Sequence, residues 1–478
     1  MSHRQTLSTS SPKRGFHLGL QPPQAWMAIL ALVILSLVCI LAGAGSILRP
    51  VITVASFAVA VFLYKRYPTL YIGFTWWIWF IAPLVARLID YRSGWDEQRL
   101  LLVSQYLVTL VTIDTFFKYL PRSYRLGGLP FVLAFLGVLY GFLVGLIKTS
   151  LITAGRSLLD WLTPILFGFY LFVNWRNYPN YRQNIQRTFL WGVLVTGIYG
   201  VVQFLVAPEW DRFWLISTKL TSFGDPEPLK LRVWSTMSSP GPFAVMMMAG
   251  LLLLFDSKGP LRIPAAVAGY LAFLLTMVRT LWGSWLVGLI TLMTSLKANL
   301  QMRLIVTVLV MAMCVIPLIT IEPFATTINT RLQTLSNLKD DDSANVRSQI
   351  YENGLGLALS NGLGNGIGNT FIVKDGKLEP LVIDSGILDM FFTLGWFGAI
   401  PYLGGMFLLL FNLFQYSEFR FDSFMSTARA ISLSAFVTLA SGSAMLGFSG
   451  IVLWGFLGIV MAGHKYHHHQ RTATIEKS

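Results

Sequence analysis

The sequence predicts an all-α fold, a polytopic transmembrane helical bundle, and two observations carry this prediction. The first is composition: hydrophobic residues make up 54% of the 478 residues and charged residues only 12%, whereas soluble globular domains carry about 25% charged residues. Mean hydropathy is +0.62. The second is that the apolar runs are continuous and roughly 15 to 25 residues long, as membrane-spanning helices require. A membrane-spanning barrel would instead show alternating segments of about ten residues.

The chain begins with a polar, basic segment that precedes the first apolar run. Residues 1–24 include Arg4, Lys13 and Arg14, and the apolar run covers 25–48. A secretory signal has an apolar core of only about 7–15 residues. We therefore expect this run to remain as a signal-anchor helix, with residues 1–24 as a cytoplasmic tail.

The rest of the chain continues as one transmembrane domain over residues 25–463, with neither a long internal repeat nor a low-complexity linker. Several apolar runs are short, so about 12–14 spans are expected, with fourteen as the working number. In chain order the predicted spans are 25–48, 51–64, 69–86, 100–117, 128–147, 157–174, 189–206, 237–255, 263–278, 280–296, 304–321, 387–413, 430–446 and 448–463.

Basic residues in the short connections set the orientation, because lysine and arginine are retained on the cytoplasmic side of a membrane. With fourteen spans both termini are cytoplasmic, and residues 464–478 form a cytoplasmic C-terminal tail. The basic residues that then share the cytoplasmic side are Lys65, Arg66, Lys118, Arg122, Arg125, Arg176, Arg182, Arg187, Lys258, Arg262, Lys297, Arg303, Arg420, Arg429 and Lys465.

The longest connection on the opposite, external side covers residues 322–386. It has few aromatic residues, and about 65 residues of this kind bury too little surface for an independent soluble domain. We expect it to form helices on the membrane surface and to cover a cavity. Asn345 is a candidate N-cap for a helix over 346–359, which the glycine-dense run GLGNGIGN at 362–369 would end.

Cysteine and histidine usage argues against metal or disulfide chemistry. Cys39 and Cys314 both lie inside apolar runs, and the sequence contains neither GxSxG nor HExxH. We expect no metal, no cofactor and no nucleic-acid partner, which leaves a cofactor-independent reaction or transport. All six histidines lie near the termini, and the HKYHHH group is interpreted as part of a solvated tail: His3, His17, His464, His467, His468 and His469.

Among the arginines on the external side, against the cytoplasmic bias, three are singled out by their positions. Arg232 precedes a span, Arg279 sits in a very short turn between two apolar runs, and Arg347 opens the predicted loop helix. Arginine near hydrocarbon is unfavourable, so such a residue either extends to the interface or has a function. If the three converge, their planar guanidinium groups would bind a phosphate or diphosphate.

The run GLGNGIGN matches neither a P-loop nor a dinucleotide-binding fingerprint. Two interpretations of its glycines, with Gly364 and Gly366 at the centre, remain open. They allow a tight turn with close backbone approach, or their amides face an anion or a sugar.

Carboxylates at the entrance to the span after the large loop are candidates for acid–base chemistry. Asp384 lies just before this span and Asp389 about one turn further in. Burial would raise the pKa of such a group towards neutrality, whereas neighbouring arginines would lower it. A structural role at a helix N-terminus is the alternative. Asp114 and Asp160, inside apolar runs, are expected to be hydrogen-bonded in the bundle or to line a pathway, and 340–342 reads as a solvated acidic turn.

The order of these motifs resembles the O-antigen ligase and polymerase family, bacterial integral-membrane transferases that use undecaprenyl-diphosphate-linked glycans. The matching pieces are RVWSTMSSPGPFA before a span, the Arg-Thr of VRTLWGSW, and the block from Arg347 through GLGNGIGN to DSGILDMFFTLGWFGAIPYL. They cover roughly residues 190–410 and surround one large external loop.

This resemblance implies a GT-C-like helical fold in the bacterial inner membrane, with a periplasmic active site and a large periplasmic loop. The donor would be an undecaprenyl-diphosphate-linked oligosaccharide and the acceptor a sugar or lipid-linked hydroxyl, without a metal. By position, Arg232, Arg279 and Arg347 would bind the diphosphate. Further partners would be membrane lipid and other polysaccharide-assembly proteins.

Where ligases of this family have a histidine, often followed by asparagine, this chain has Asp384 followed by Ser385. Asp384 is then either the base or a group that orients the acceptor. Glu352 is another candidate base, and no base is needed if the leaving group is well stabilised. The sequence therefore predicts a metal-independent membrane glycosyltransferase of surface polysaccharide synthesis, with polymerisation preferred to ligation. The alternative is a transporter or flippase for lipid-linked or anionic substrates.

Overall fold

The structure is a computed structural model, and it describes residues 22–43, 45–295, 361–369, 371–374, 377–380, 385–415 and 422–475, together with isolated positions between 301 and 356. Within these residues ten helices are long and apolar enough to cross a membrane, and Pro240–Leu254 and Arg262–Leu275 are shorter apolar helices. The predicted all-α polytopic bundle is confirmed.

Fifteen α-helices are described along the chain. They are α1 (Pro23–Ala42), α2 (Gly45–Arg66), α3 (Pro68–Ser93), α4 (Val103–Leu110), α5 (Ile113–Tyr119), α6 (Leu129–Lys148), α7 (Leu151–Val173), α8 (Tyr178–Val206), α9 (Glu209–Thr218), α10 (Pro240–Leu254), α11 (Arg262–Leu275), α12 (Arg279–Ser295), α13 (Gly386–Gln415), α14 (Ser423–Val437) and α15 (Gly447–Ile475). Short 3-10 turns flank α4 and α5, so that Leu100–Arg122 forms one span.

Each predicted span other than 304–321 overlaps one of these helices, and most of 304–321 lies outside the described residues. The boundaries differ where a cap or a proline decides them. The first span ends at Gly43, which adopts a left-handed conformation (φ 65°), and Pro50 lies inside α2 instead of preceding it. Glycine suits this position because it lacks the Cβ that disfavours left-handed backbone.

Two polar regions predicted as connections are helical. α14 begins at Ser423 because the Asp422 side chain accepts hydrogen bonds from the amides of Phe424 and Met425. Arg429, expected in a cytoplasmic connection, therefore lies inside α14. Similarly, α15 continues through the histidine-rich segment to Ile475, past the expected start of the tail at residue 464.

Part of the large loop forms a two-stranded antiparallel hairpin instead of surface helices. Strands β1 (Phe371–Lys374) and β2 (Lys377–Pro380) pair with Phe371 opposite Pro380 and Val373 opposite Leu378. The expected surface helix over 346–359 lies outside the described residues except for the helical Gly356.

The centre of the bundle is formed by three helix pairs: α7 with α15, α6 with α13, and α8 with α11. α7 and α15 approach to backbone contact at Gly168 and Gly458, where an added Cβ on either residue would collide with the partner helix. Small residues permit such close packing between membrane helices, where lipid removes the usual hydrophobic driving force. One end of the bundle, where α10, α12 and α15 begin, contains the site and is called the cavity end below.

Candidate functional site

A cavity of about 480 Å³ opens at the cavity end of the bundle and is called the central cavity here. The first turns of three helices form one part of the lining, called the first side here, and residues of α3, α4 and α7 form an adjoining part, with Asp160 next to Gly447. Volumes of about 300–1,000 Å³ are typical of small-molecule sites. The first side comprises Gly241, Pro242 and Val245 of α10, Thr280 and Leu281 of α12, and Gly447, Phe448 and Ser449 of α15; the second includes Trp79, Gln105, Tyr106 and Asp160.

The convergence of three helix N-termini gives the first side of the cavity a positive electrostatic character. Aligned peptide dipoles place about half a positive charge at a helix N-terminus, and the first amides of a helix have no partner within it. The N-cap of α10, Ser239, forms no side-chain capping bond, and prolines occupy the start of this helix. This side of the cavity therefore favours an anionic group.

The last part of the segment between α9 and α10, residues 231–237 with the predicted Arg232, is irregular and largely buried backbone. The Gln203 side-chain oxygen accepts hydrogen bonds from the amides of Trp234 (3.0 Å) and Ser235 (2.7 Å). Arg87 donates to the Ser235 carbonyl oxygen at 2.5 Å. Non-helical backbone at membrane depth is stable only where protein or a cavity satisfies its polar groups. These contacts supply those partners and position the start of α10.

Arg232 is fixed to the turn that precedes Arg279. The Arg232 Nε donates to the Thr276 carbonyl oxygen at 3.1 Å, and the neighbouring Val233 amide donates to the Leu275 carbonyl oxygen at 3.0 Å. Two of the three predicted arginines are thus attached to the same short turn between α11 and α12. Arg347 lies outside the described residues.

Arg279 is the first residue of α12 and is half-buried. Its neighbours on both sides, Val278 and Thr280, line the central cavity. Met277 precedes this turn in a left-handed conformation (φ 56°), which is uncommon for residues other than glycine. The Arg279 backbone therefore lies at the cavity margin, and the role predicted for Arg279 stays a prediction.

The GLGNGIGN run is a tight turn whose amides are already used by the protein. The amides of Asn365 (2.8 Å) and Gly366 (2.9 Å) donate to the carbonyl oxygens of Phe392 and Thr393, and Ile367 donates to that of Gly141 (2.9 Å). The interpretation as a tight turn is therefore confirmed. The interpretation as an anion or sugar site is wrong for these amides, because each of them already donates to a backbone carbonyl oxygen.

This turn supplies backbone hydrogen-bond partners where α13 is broken. Gly395 takes non-helical backbone angles (φ 63°, ψ −174°), which frees carbonyls in the preceding turn and amides in the following one. The freed Phe392 and Thr393 carbonyls accept the bonds described above, and the Trp396 amide donates to Gly362 at 2.9 Å. Gly364 and Gly366, proposed as secondary site residues, consequently have a structural role, since hydrocarbon offers no other partner for broken helical backbone.

Asp389 lies directly behind the wall of the central cavity. Its carboxylate accepts hydrogen bonds from the hydroxyls of Thr393 (2.9 Å) and Ser443 (2.7 Å), and Ser443 lines the cavity. Ser385 is buried before the first turn of α13. Asp384 and Glu352 lie outside the described residues, and the prediction that Asp384 is the base or orienter remains a prediction.

Asp160 is the carboxylate that the structure places in the cavity itself. It lines the cavity from α7 and accepts a hydrogen bond from the hydroxyl of Tyr106, another lining residue. The sequence left open whether Asp160 is bonded within the bundle or lines a pathway; the structure shows the hydrogen bond and places Asp160 at a cavity. Asp114, in contrast, does not line this cavity and accepts a hydrogen bond from Tyr64 (3.0 Å). The sequence signal for Asp160 was its position as an acidic residue inside an apolar run.

A smaller cavity of about 250 Å³ adjoins the central one, sharing Pro83 and Met237 with it. Arg87 and Arg99 line it. Arg87 forms an ion pair with Asp211 at 3.0 Å, and both are almost fully buried, with 1% and 0% of their side chains exposed. The sequence gives no sign of this ion pair, because Arg87 and Asp211 are more than a hundred residues apart in the chain.

The positive charge of Arg99 is balanced by the nearby carboxylate of Asp90. It lies 3.5 Å from Asp90 and 3.7 Å from the centre of the Trp95 ring. Burial lowers the pKa of Arg99, and the charge of Asp90 opposes this. The guanidinium remains cationic, since arginine stays protonated in proteins.

The opposite end of the bundle carries a second polar cluster, formed by Asp422, Tyr178, Arg182 and His467. Asp422 accepts from Tyr178 (2.7 Å) and pairs with Arg182 (3.2 Å) and His467 (3.0 Å). Burial raises the pKa of Asp422, but the hydrogen bonds from His467 and Tyr178 and the charge of Arg182 outweigh it, so the net pKa is lowered. His467 is thus packed against the bundle, and the solvated-tail interpretation is wrong for this histidine.

A search of protein-family models finds no match for this chain, and a search of curated proteins finds no significant similarity. The fold and the apolar helices define the class by themselves: this is a multi-pass helical membrane protein. In the described part of the chain, no group of three or more histidine, cysteine, aspartate or glutamate residues is arranged to hold a metal ion.

Proposed function

We propose that this protein is a metal-independent glycan transferase resembling the O-antigen ligase and polymerase family. It transfers a glycan from an undecaprenyl-diphosphate-linked donor to a sugar hydroxyl, with polymerisation of repeat units preferred to ligation. The observation that carries the proposal is the cavity wall formed by the N-termini of α10, α12 and α15 beside the Arg279 turn. A diphosphate leaving group needs such a positive environment.

In the proposed reaction the acceptor oxygen attacks the anomeric carbon of the donor sugar. A new carbon–oxygen bond forms as the bond to the diphosphate breaks, and the diphosphate departs with the bonding electrons. The acceptor proton passes to a carboxylate, for which Asp384 is the predicted base, or to solvent. Arg279 and Arg347 act on the developing negative charge, and Arg232 holds the turn before Arg279 in place through Thr276. Preorganised groups of this kind provide a large part of catalysis.

The charge of four connecting residues supports an orientation for the site. Lys65, Arg66, Lys118 and Lys258 lie at the end of the bundle away from the central cavity, and basic connections tend to remain in the cytoplasm. In the proposed orientation the cavity end faces the periplasm of a bacterial inner membrane, with both termini cytoplasmic. A lipid-linked donor that has already been flipped across the membrane reaches the site from this side.

Replacing Arg279 tests the proposal. We expect Arg279→Ala to abolish release of undecaprenyl diphosphate from a lipid-diphosphate oligosaccharide, while membrane insertion and thermal stability are retained. Arg125→Ala, at an exposed position away from the cavity, is the matched control and should leave release unchanged. Release by Arg279→Ala at the wild-type rate would contradict the proposal.

A transporter or flippase is the second candidate, and the break of α13 at Gly395 favours it. Transporters commonly use broken helices, which occur in pairs at a central substrate site. Here the break is sealed by the Gly362–Asn369 turn, outside the central cavity. In proteoliposomes, translocation of an intact lipid-linked oligosaccharide without release of lipid diphosphate would establish transport instead of transfer.

A further inference from the structure

We propose that the part of the central cavity lined by Asp160 and its neighbours is a binding subsite for a neutral sugar ring of the acceptor, with the Asp160 carboxylate as its principal hydroxyl-binding group. This inference rests on the proposed function, which it deepens by assigning the acceptor site. Its residues come from α3, α4 and α7 and from the start of α15, which the sequence motifs of the family resemblance do not include.

The first reason is the state of the Asp160 carboxylate. Oδ1 accepts the hydrogen bond from Tyr106, whereas Oδ2 accepts none from the residues that the structure describes. Asp160 is half-buried and lines the cavity. An ionisable group among membrane helices is expected to face a partner or a water-filled cavity. Oδ2 is therefore available to accept a hydroxyl from a ligand in this cavity.

The second reason is the chemistry of the surrounding wall. Gln105 is held by a bond from its Nε2 to the Trp79 carbonyl oxygen (3.2 Å), and its side chain lines the cavity beside Asp160. Ser441 and Ser449 add hydroxyls to the lining. Carboxylate, amide and hydroxyl groups together match the hydroxyls of a sugar, which both donate and accept hydrogen bonds.

The third reason is the presence of aromatic rings next to these polar groups. Trp79 packs edge-on against Tyr106 with ring centres 5.1 Å apart, and it lies 6.1 Å from Phe448. All three line the cavity. Rigid aromatic rings provide an apolar surface for the carbon-bound hydrogens of a pyranose, while the polar groups fix its orientation. The carboxylate disfavours an acidic sugar at this position, so the subsite selects a neutral one.

The position of the subsite also suits a transfer reaction. The starts of α10 and α12 are proposed to hold the diphosphate, and Asp160 lines the same space of about 480 Å³. A hydroxyl held by Asp160 thus shares one enclosed space with the donor. Holding two reactants in one enclosed space replaces a bimolecular encounter with an oriented one.

The test uses the full-length protein in lipid nanodiscs and a panel of methyl glycosides: a hexoside, an N-acetylhexosaminide, a 6-deoxyhexoside and a hexuronide. Saturation-transfer NMR reports binding. We expect at least one neutral glycoside to bind the wild type, and Asp160→Asn to weaken this binding about tenfold or more, because it removes a charged hydrogen-bond acceptor. The hexuronide should bind the wild type more weakly than the matching hexoside.

The chain offers a matched control in Asp114, which also lies in a span and also pairs with a tyrosine, Tyr64. Asp114→Asn should leave glycoside binding unchanged. Tyr106→Phe serves as a second variant that keeps the ring against Trp79 but releases the carboxylate, and it should weaken binding several-fold. Thermal unfolding of each variant establishes that it is folded.

Absence of neutral glycoside binding to the wild type, or equal binding by the wild type and Asp160→Asn, would overturn the subsite. The two proposals fail separately. If Asp160→Asn lowers glycoside binding but the wild type releases no lipid diphosphate, the transferase proposal fails and the subsite stands. If Arg279→Ala abolishes release while Asp160→Asn retains normal binding and acceptor KM, the subsite fails and the transferase proposal stands.

Discussion

At the scale of single residues, two carboxylates of the bundle differ in their partners. Arg87 and Asp211 form a buried ion pair at 3.0 Å, and Asp211 also accepts hydrogen bonds from Tyr199 and Gln203 at 2.8 Å. Asp160 differs because only one of its oxygens has a hydrogen-bond partner in the described part of the chain. Removing one member of a buried ion pair leaves a charge without compensation, whereas the second oxygen of Asp160 is available to a ligand.

The buried pair leads to a prediction for stability. Asp211→Ala leaves the Arg87 guanidinium without its counter-ion, and we expect a loss of about 3–5 kcal/mol in the free energy of unfolding. Unfolding in mixed micelles by increasing SDS measures it. Glu227→Ala removes a surface ion pair with Lys230 (2.7 Å), whose side chains are more than half exposed, and should cause no measurable change. Equal effects of the two substitutions would refute the assigned role of the buried pair.

At the scale of elements, a turn outside α13 bonds the backbone groups that a break in this helix leaves free. α13 is interrupted at Gly395, and the Gly362–Asn369 turn, which also packs on α6 at Gly141, supplies the missing backbone partners. This arrangement requires left-handed backbone at Gly364 (φ 75°) and Gly366 (φ 84°). The glycines that the sequence marks as a site are therefore needed to position α13, and with it Asp389, behind the cavity wall.

This arrangement predicts different effects for two glycines of the same turn. Gly366→Ala adds left-handed strain and places a Cβ 2.7 Å from the Val144 carbonyl carbon, so we expect a loss of stability of more than about 1 kcal/mol. Gly362→Ala meets only Trp396, at 3.9 Å, and should be tolerated. Thermal denaturation followed by size-exclusion chromatography compares them. Indistinguishable transition temperatures would show that the turn does not support α13.

At the scale of the whole molecule, the two ends of the bundle have different polar organisation. The cavity end combines helix N-termini, arginines and the open Asp160. At the other end, Asp422 ties α8, α14 and α15 together through Tyr178, Arg182 and His467. The other end holds three helices together, and the cavity end is where we propose that the substrate binds.

The Asp422 cluster predicts a pH dependence of stability. The folded-state pKa of Asp422 is lowered, so its stabilising contribution is present above its unfolded-state pKa of about 3.9 and is lost as pH falls through the folded-state value. The wild type should exceed Asp422→Asn in thermal stability near neutral pH, and the difference should shrink below about pH 4. Thermal unfolding between neutral and acidic pH measures it.

Asp256 serves as a control for this measurement, because its pKa is shifted in the direction opposite to that of Asp422. Burial raises the pKa of Asp256, against the hydrogen bond from Ser423. Ionisation of Asp256 therefore disfavours folding, and the stability that Asp256 contributes increases as pH falls through its folded-state pKa. Asp256→Asn and Asp422→Asn should shift the pH profile in opposite directions. Parallel shifts would contradict the assigned roles.

The sequence by itself determined the helical class and the order of the helices along the chain. These follow from local properties, because a helix satisfies its own backbone and an apolar run of sufficient length is most stable in lipid. The sequence also marked Arg232 and Arg279, whose positions defy the charge bias, and the structure attaches both to one turn. Helix boundaries at Pro50 and Asp422 were less predictable, because caps and tertiary contacts decide them.

Only the tertiary structure decided which distant residues meet. The pairing of Arg87 with Asp211, the completion of α13 by the Gly362–Asn369 turn and the exposure of Asp160 to the central cavity each join segments far apart in the chain. Apolar patterning specifies that a helix is buried but not against which helix, since lipid and neighbouring helices are equally apolar. Close contacts between small residues and buried hydrogen bonds make that choice, and they created the cavity that the sequence alone did not reveal.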